Sequence, residues 1–360
     1  MVRVVIRTWG LAVLLALSGA ACGGGAASTP TAPTATITPV PAPSTPTTVT
    51  LSGKITATVS GRPLADVTVS IDGYPPAKTD ASGAFRFTVP NEAKTYRISA
   101  SGSAIVSRDV YAKVSGNGSV AFDAIELADR FNQTFYAQLL RDGFEGTGRE
   151  PLKRWSKNPM IYLRTVDDRG RAIGSATLAA IESVFSESAP LATGGKLRVA
   201  GYERGTGDRT GQAGWITVRF TSAGTWTYCG HADVGVEGGT IDFNLGGLPD
   251  GRTCRVCPSA SEVDVNLIRH EFGHALGFYH VSDRGSAMTA DWYNTCQTPF
   301  SAAEILHGSI AYSRPIGNLS PDADPESAAS SAARLPGFGG QSAANSVSCA
   351  PSSGRSATLH

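Results

Sequence analysis

Apolar and polar residues alternate in short runs from Val49 to about Leu127: "TLSGKITATV", "ADVTVSIDG", "AFRFTV", "TYRISASG", "VSRDVYAKV" and "SVAFDAIEL". A period of two puts successive side chains on opposite faces, so each run predicts a strand with one buried face. Turn residues at Gly61-Arg62-Pro63, Gly73-Tyr74-Pro75-Pro76 and Asp80-Ala81-Ser82-Gly83 punctuate them at the intervals of an all-β sandwich. From Asp129 the rhythm changes. "PMIYLRTV", "KLRVAGYE", "WITVRF" and "GTIDFNLG" read as strands, while Leu178, Ile181, Val184 and Phe185 mark one helical face, and Val263 to Phe278 reads as a second helix. Strands and helices in alternation predict an α/β (α+β) domain with a mixed sheet.

Two segments lack any such pattern. Residues 23–47 are uncharged and dense in Pro, Thr and Ala, which predicts an extended linker. Residues 316–360 are small and polar with little to bury, which predicts a disordered tail. The first 22 residues place Arg3 and Arg7 before an apolar stretch, Leu11 to Leu17, and end in "LSGAAC". That stretch is too short to span a bilayer. It resembles a bacterial lipoprotein signal with Cys22 as the lipidated residue, although Gly19 stands where Leu is usual; ordinary secretion is the alternative. The expected organisation is therefore signal (1–22), linker (23–47), sandwich (48–128), second domain (129–315) and tail (316–360), in an exported protein of the cell envelope facing the periplasm or exterior. Oligomeric state is not legible.

Composition narrows the functions. In 360 residues, 31 basic and 30 acidic side chains leave a formal charge of +1, with no basic run to follow a phosphate backbone, so nucleic acid is excluded as a partner. A membrane enters only through the N-terminal lipid. An export route permits disulfides. Cys229, Cys254, Cys257 and Cys296 surround the chemical motif and are expected to form two bridges, with Cys349 left over. "CRVC" as half a zinc ribbon lacks a second closely spaced pair.

The motif is "HEFGHALGFYH". On a helix His270 and His274 project from one face a turn apart, close enough to share an ion. Gly277 can take a positive φ, ending the helix and turning the chain so that His280 returns as a third ligand. Three imidazoles leave one tetrahedral position for water, the mark of a catalytic zinc site. Attraction of histidine to a helix C-terminus accounts for one or two of these residues, not for all five positions.

The whole pattern resembles the metzincin metallopeptidases, and "HEFGHALG" their matrixin branch. Met288 in "GSAMT", eight positions after His280, stands where that resemblance places the Met-turn. Val281 and Ala290 depart from matrixins, which usually carry Ser and Pro there, and no cysteine switch precedes the domain. The resemblance implies zinc on His270, His274 and His280, Glu271 as general base, Met288 beneath the metal without touching it, and a peptide or protein substrate. Structural calcium is compatible with the family but cannot be located. "GGTIDFNLGG" sits where metzincins carry the edge strand that pairs with substrate, though a simple sheet-edge strand would read the same. "GRPLADVTVSIDG" followed by "KTDASGAFRFTVP" resembles the carboxypeptidase-regulatory-like, transthyretin-type sandwich, which implies a spacer. His231 and His307 read as structural or surface residues. The expected activity is zinc-dependent peptide hydrolysis; the alternatives are an adhesion lipoprotein with an inactive domain and a hydrolase of non-peptide amides.

Overall fold

The computed structural model describes residues 47–334, apart from residues 129, 256, 258 and 291–298. The segments expected as signal and linker, with Cys22, lie outside them, as do Cys296 and Cys349. Among the described residues no helix is long and apolar enough to cross a membrane.

The alternating runs form β1 (Thr48–Ala57), β2 (Thr68–Ile71), β3 (Ala77–Lys78), β4 (Ala84–Pro90), β5 (Lys94–Ser101), β6 (Arg108–Val114) and β7 (Gly118–Ala124). Burial along β1 and β4 alternates residue by residue, as the period of two requires. Inward residues such as Leu51, Ile55, Val89 and Ile98 meet in one apolar cluster between two sheets.

Chain then enters α1 (Gln133–Arg141), capped by the Asn132 side chain accepting the Phe135 N–H at 3.0 Å. It continues through β8 (Met160–Arg164), α2 (Ser175–Ala192), β9 (Gly201–Gly205), β10 (Trp215–Thr221), β11 (Gly230–Ala232), β12 (Thr240–Asn244), α3 (Val265–Ala275) and α4 (Ala302–Ala311). The five strands form a mixed sheet in the order β11-β12-β10-β8-β9, parallel except for β11, which runs antiparallel to β12. Phe272 of α3 stacks on Phe185 of α2, with ring centroids 3.9 Å apart. Both lie in a second apolar cluster with Ile161, Val218 and Phe243 of the sheet.

Two expectations need correction. β12, in "GGTIDFNLGG", is an inner strand, and the edge is the shorter β11. β11 is only Gly-His-Ala, with no alternating apolar run, so the strand that takes the edge left no signal in the sequence. The tail expected to be disordered from residue 316 is ordered as far as Arg334. It adds β13 (Ser330–Ser331) beside β6 and β14 (Ala333–Arg334) beside β7, so the two N-terminal sheets run β13-β6-β5-β2-β3 and β14-β7-β1-β4.

Charge rather than apolar burial orders that segment. Arg314, wholly buried, donates to both carboxylate oxygens of Asp322 at 2.8 and 3.0 Å. It also donates to Asp123 of β7 at 2.8 and 2.9 Å and to the Thr58 hydroxyl at 2.9 Å. Arg108 of β6 meets Asp322 at 2.6 Å and holds Asp324 with two bonds of 2.9 Å. Asn318 donates to both aspartates. Hydrogen-bonded buried charges of this kind are costly to break singly, because the partner is left unpaired. Replacing Arg314 by Met strips Asp123 of its guanidinium and leaves Asp322 to Arg108 and Asn318, and is expected to lower stability by about 3–5 kcal/mol, read as the shift in a urea unfolding midpoint. A change below about 1 kcal/mol, the level of a surface ion pair, would show that the network does not hold the sheets to the rest of the chain.

Candidate metal centre

α3 carries the first half of the motif in a buried setting, with Leu267, Ile268 and Phe272 almost fully enclosed. Its buried C-terminus would leave carbonyls without partners unless side chains or turns supply donors. They do. Trp155 Nε1 donates to Ala275 O at 2.7 Å and the Tyr312 hydroxyl to Leu276 O at 2.8 Å. Gly277 N–H reaches His274 O at 2.8 Å and Phe278 N–H reaches Gly273 O at 3.0 Å, the paired bonds of a Schellman turn. Gly277 has φ 105, and a Cβ there would fall 2.2 Å from Lys153 O, so both conformation and space demand glycine.

That turn brings His280 back to the helix. The three Nε2 atoms form a triangle with sides of 3.1, 3.2 and 3.2 Å. Each Nδ1 faces an oxygen: His270 faces Ala287 O at 2.8 Å, His274 faces Phe278 O at 2.7 Å and His280 faces Glu145 Oε2 at 2.7 Å. Carbonyl and carboxylate oxygens accept, so each Nδ1 carries the hydrogen and each Nε2 presents a lone pair. Three lone pairs then converge with no proton between them. Three imidazoles bound tetrahedrally at ~2.0–2.1 Å would stand roughly 3.3–3.4 Å apart. The spacing, the tautomers and the donor type therefore fit a metal ion, and these are the three described residues gathered closely enough to hold one.

Burial disfavours charge on these groups. It pushes His270 down to about 4 and, aided by His270 and His280, takes His274 well below the ordinary imidazole range. Both therefore stay neutral, as ligands must be. Glu271 is pushed up to about 8, first by burial and then by the charge of Asp242. Its Oε2 is buried without a hydrogen-bond partner. The missing Cβ of Gly230 on β11 makes room for it: an added Cβ would sit 2.4 Å from Glu271 Oε1.

Met288 is buried beneath α3. A Cβ at Gly273 would lie 2.3 Å from its sulfur, so this glycine lets the helix settle on the methionine. Val281 N–H donates to Met288 O at 2.9 Å, tying the Met288 turn to the residue after His280. Glu304 is fully buried below that turn, accepting from Met288 N–H at 2.9 Å and from the Ser286 hydroxyl. The same carboxylate completes the capping box of α4 with Ser301.

The imidazoles and Glu271 line a cleft of about 250 Å³ with Tyr228, Gly230, His231 and Ala290. His231, read as a structural or surface residue, thus stands on the cleft wall. His307 is buried and structural, its Nε2 accepting the Asn132 N–H at 2.9 Å. Cys229 bonds Cys254 beside the cleft, and Cys257 is also disulfide-bonded. Glu145 and Glu304 were not singled out by sequence; only Glu304 had a local signal, in "SAAE".

No protein-family model and no curated protein sequence matches the chain. Among solved structures, metalloproteinase-II from Bacteroides fragilis matches over 72% of this chain and 84% of its own, at 11% identity and a TM-score of 0.31. A DUF3823 family protein from Parabacteroides merdae matches over 22% of this chain at 18% identity and a TM-score of 0.18. The match covers 46% of that protein's own length. At these distances the functional reading rests on the site's own geometry.

Gly273→Ala tests the floor of the site. Driving a methyl into Met288 is expected to destabilise the protein by about 1–3 kcal/mol, as overpacking does; an unchanged thermal midpoint would mean that the methionine does not press on the helix.

Proposed function

We propose that this chain is an exported zinc endopeptidase of the metzincin type, with His270, His274 and His280 holding the ion and Glu271 acting as general base. The observation that carries the reading is the convergence of three imidazole lone pairs beside a buried carboxylate oxygen with no partner. When bound, zinc supplies Lewis-acid activation of water and of the carbonyl to be cleaved. Glu271 takes the proton from the attacking water and passes it to the leaving amine. Burial raises the Glu271 carboxyl in the metal-free site; a dication held by the neighbouring imidazoles would draw it down again and favour the carboxylate that accepts the proton. Met288 and Glu304 fix the floor on which the ligands stand.

The substrate in this reading is an extended peptide. β11 is the outermost strand of its sheet and borders the cleft, so its outer backbone groups can pair with a peptide laid alongside. Gly230 within that strand admits Glu271, which puts the base next to that peptide. The N-terminal sheets serve as a carboxypeptidase-regulatory-like spacer, and Cys22 is the lipid anchor on a bacterial envelope. The Cys229–Cys254 disulfide fits such an oxidising compartment.

Zinc-loaded full chain, incubated with an unbiased peptide pool and followed by mass spectrometry, is expected to cleave. Glu271→Ala should keep its zinc and lose about 10²–10⁴-fold in rate. Equal cleavage by the two proteins, or none by native protein with one zinc bound, would sink the peptidase reading. Gly230→Ala displaces the base without touching a ligand, so zinc content should hold while kcat/KM falls on the order of 10²-fold. Undiminished turnover would remove Glu271 from its assigned place.

A further inference from the structure

His270 and His274 rest their Nδ1 groups on backbone carbonyls within the helix exit and the Met288 turn. His280 does not. Its Nδ1 meets the side chain of Glu145, which stands 135 positions earlier in the chain and outside the sheet and helices that carry the motif. The turn after α1 is shaped to deliver it. Asp142 takes the left-handed conformation at φ 53, and Gly146 N–H returns to Asp142 O at 3.1 Å. A Cβ at Gly143 would come within 2.7 Å of Ala137 O, and one at Gly146 within 2.5 Å of Asp142 Oδ2, so both glycines are needed for a turn this tight.

α1 is also fastened to the segment that bears His280, on both sides of that residue. Tyr279 N–H donates to Leu139 O at 2.7 Å. On the other side Gln138 Nε2 donates to the Ser282 hydroxyl at 3.1 Å, and Ser282 N–H donates to Gln138 Oε1 at 3.3 Å. Glu145 is thereby set against the one ligand that leaves the helix and owes its position to a turn.

We propose that Glu145 is a positioning residue of the metal centre, fixing the ring of His280 through Nδ1 so that Nε2 faces the ion. The proposal rests on the metal-site reading above. An outer carboxylate of this kind orients the imidazole and strengthens it as a ligand, and its loss weakens metal binding by about 10–100-fold. Affinity for metal would then be set partly by α1, an element that contributes no ligand.

The test is the zinc dissociation constant of the full chain, measured by competition with a chromogenic chelator, for native protein, Glu145→Ala and Glu145→Gln. Ala is expected to bind about 10–100-fold more weakly. Gln, which keeps an accepting oxygen at the same reach without the charge, should fall between Ala and native. The melting temperature of the metal-free proteins should be the same in all three, because Glu145 is half exposed and packs into no core. Equal affinity in native and Ala proteins, or a loss matched by a lower metal-free melting temperature, would overturn the positioning role while leaving the metal centre standing. Absence of zinc binding by native protein would remove the centre and this role together.

Discussion

Three lone pairs aimed at one another about 3 Å apart are a repulsive arrangement, and most of the surrounding architecture holds them in it. Each ring is locked from behind by an oxygen on Nδ1, so none can turn away or exchange its hydrogen to the inner nitrogen. The helix that bears two of them cannot fray, because Trp155, Tyr312 and the Gly277 turn satisfy its last carbonyls in the interior. A site prepared in this way loses little freedom on taking a cation, and the cation relieves a repulsion already present.

The helix exit is the junction on which these restraints meet. Gly277 abuts Lys153 O, Trp155 caps Ala275, and Leu139 of α1 accepts from Tyr279. Two separate stretches of chain therefore converge on the residues between His274 and His280. Below them, Glu304 links the Met288 turn to the N-terminus of α4.

What was legible in the sequence was local. His270, Glu271 and His274 are related by a helical turn, Gly277 by the demand for a positive φ, and Met288 by a short separation, so one stretch of chain contains the whole relation. Glu145 and His280 are related only by folding, and no spacing rule connects residues so far apart. Most strands were legible from their apolar runs, but the three-residue β11 and the strand order were not, which is why β12 was taken for the edge that β11 occupies. The tail misled for a different reason. Its small, polar composition offers little apolar surface, yet Asp322 and Asp324 are ordered by Arg108 of the distant β6, and Asp322 also by Arg314 eight residues before it. Composition registers the capacity for apolar burial; it does not register a waiting counter-charge.

The return of the chain to the N-terminal sheets has a consequence for how the molecule is made. β6 and β7 are synthesised some two hundred residues before β13 and β14 arrive to lie beside them. Until then both sheets present unpaired backbone on the sides of β6 and β7, the feature that invites pairing with a stranger's strand. Such long-range closure is also slow, since distant segments must find one another late. A ribosome-bound chain is thus most exposed to misassembly at these two strands. Cutting the chain near residue 320 would return a finished molecule to that condition.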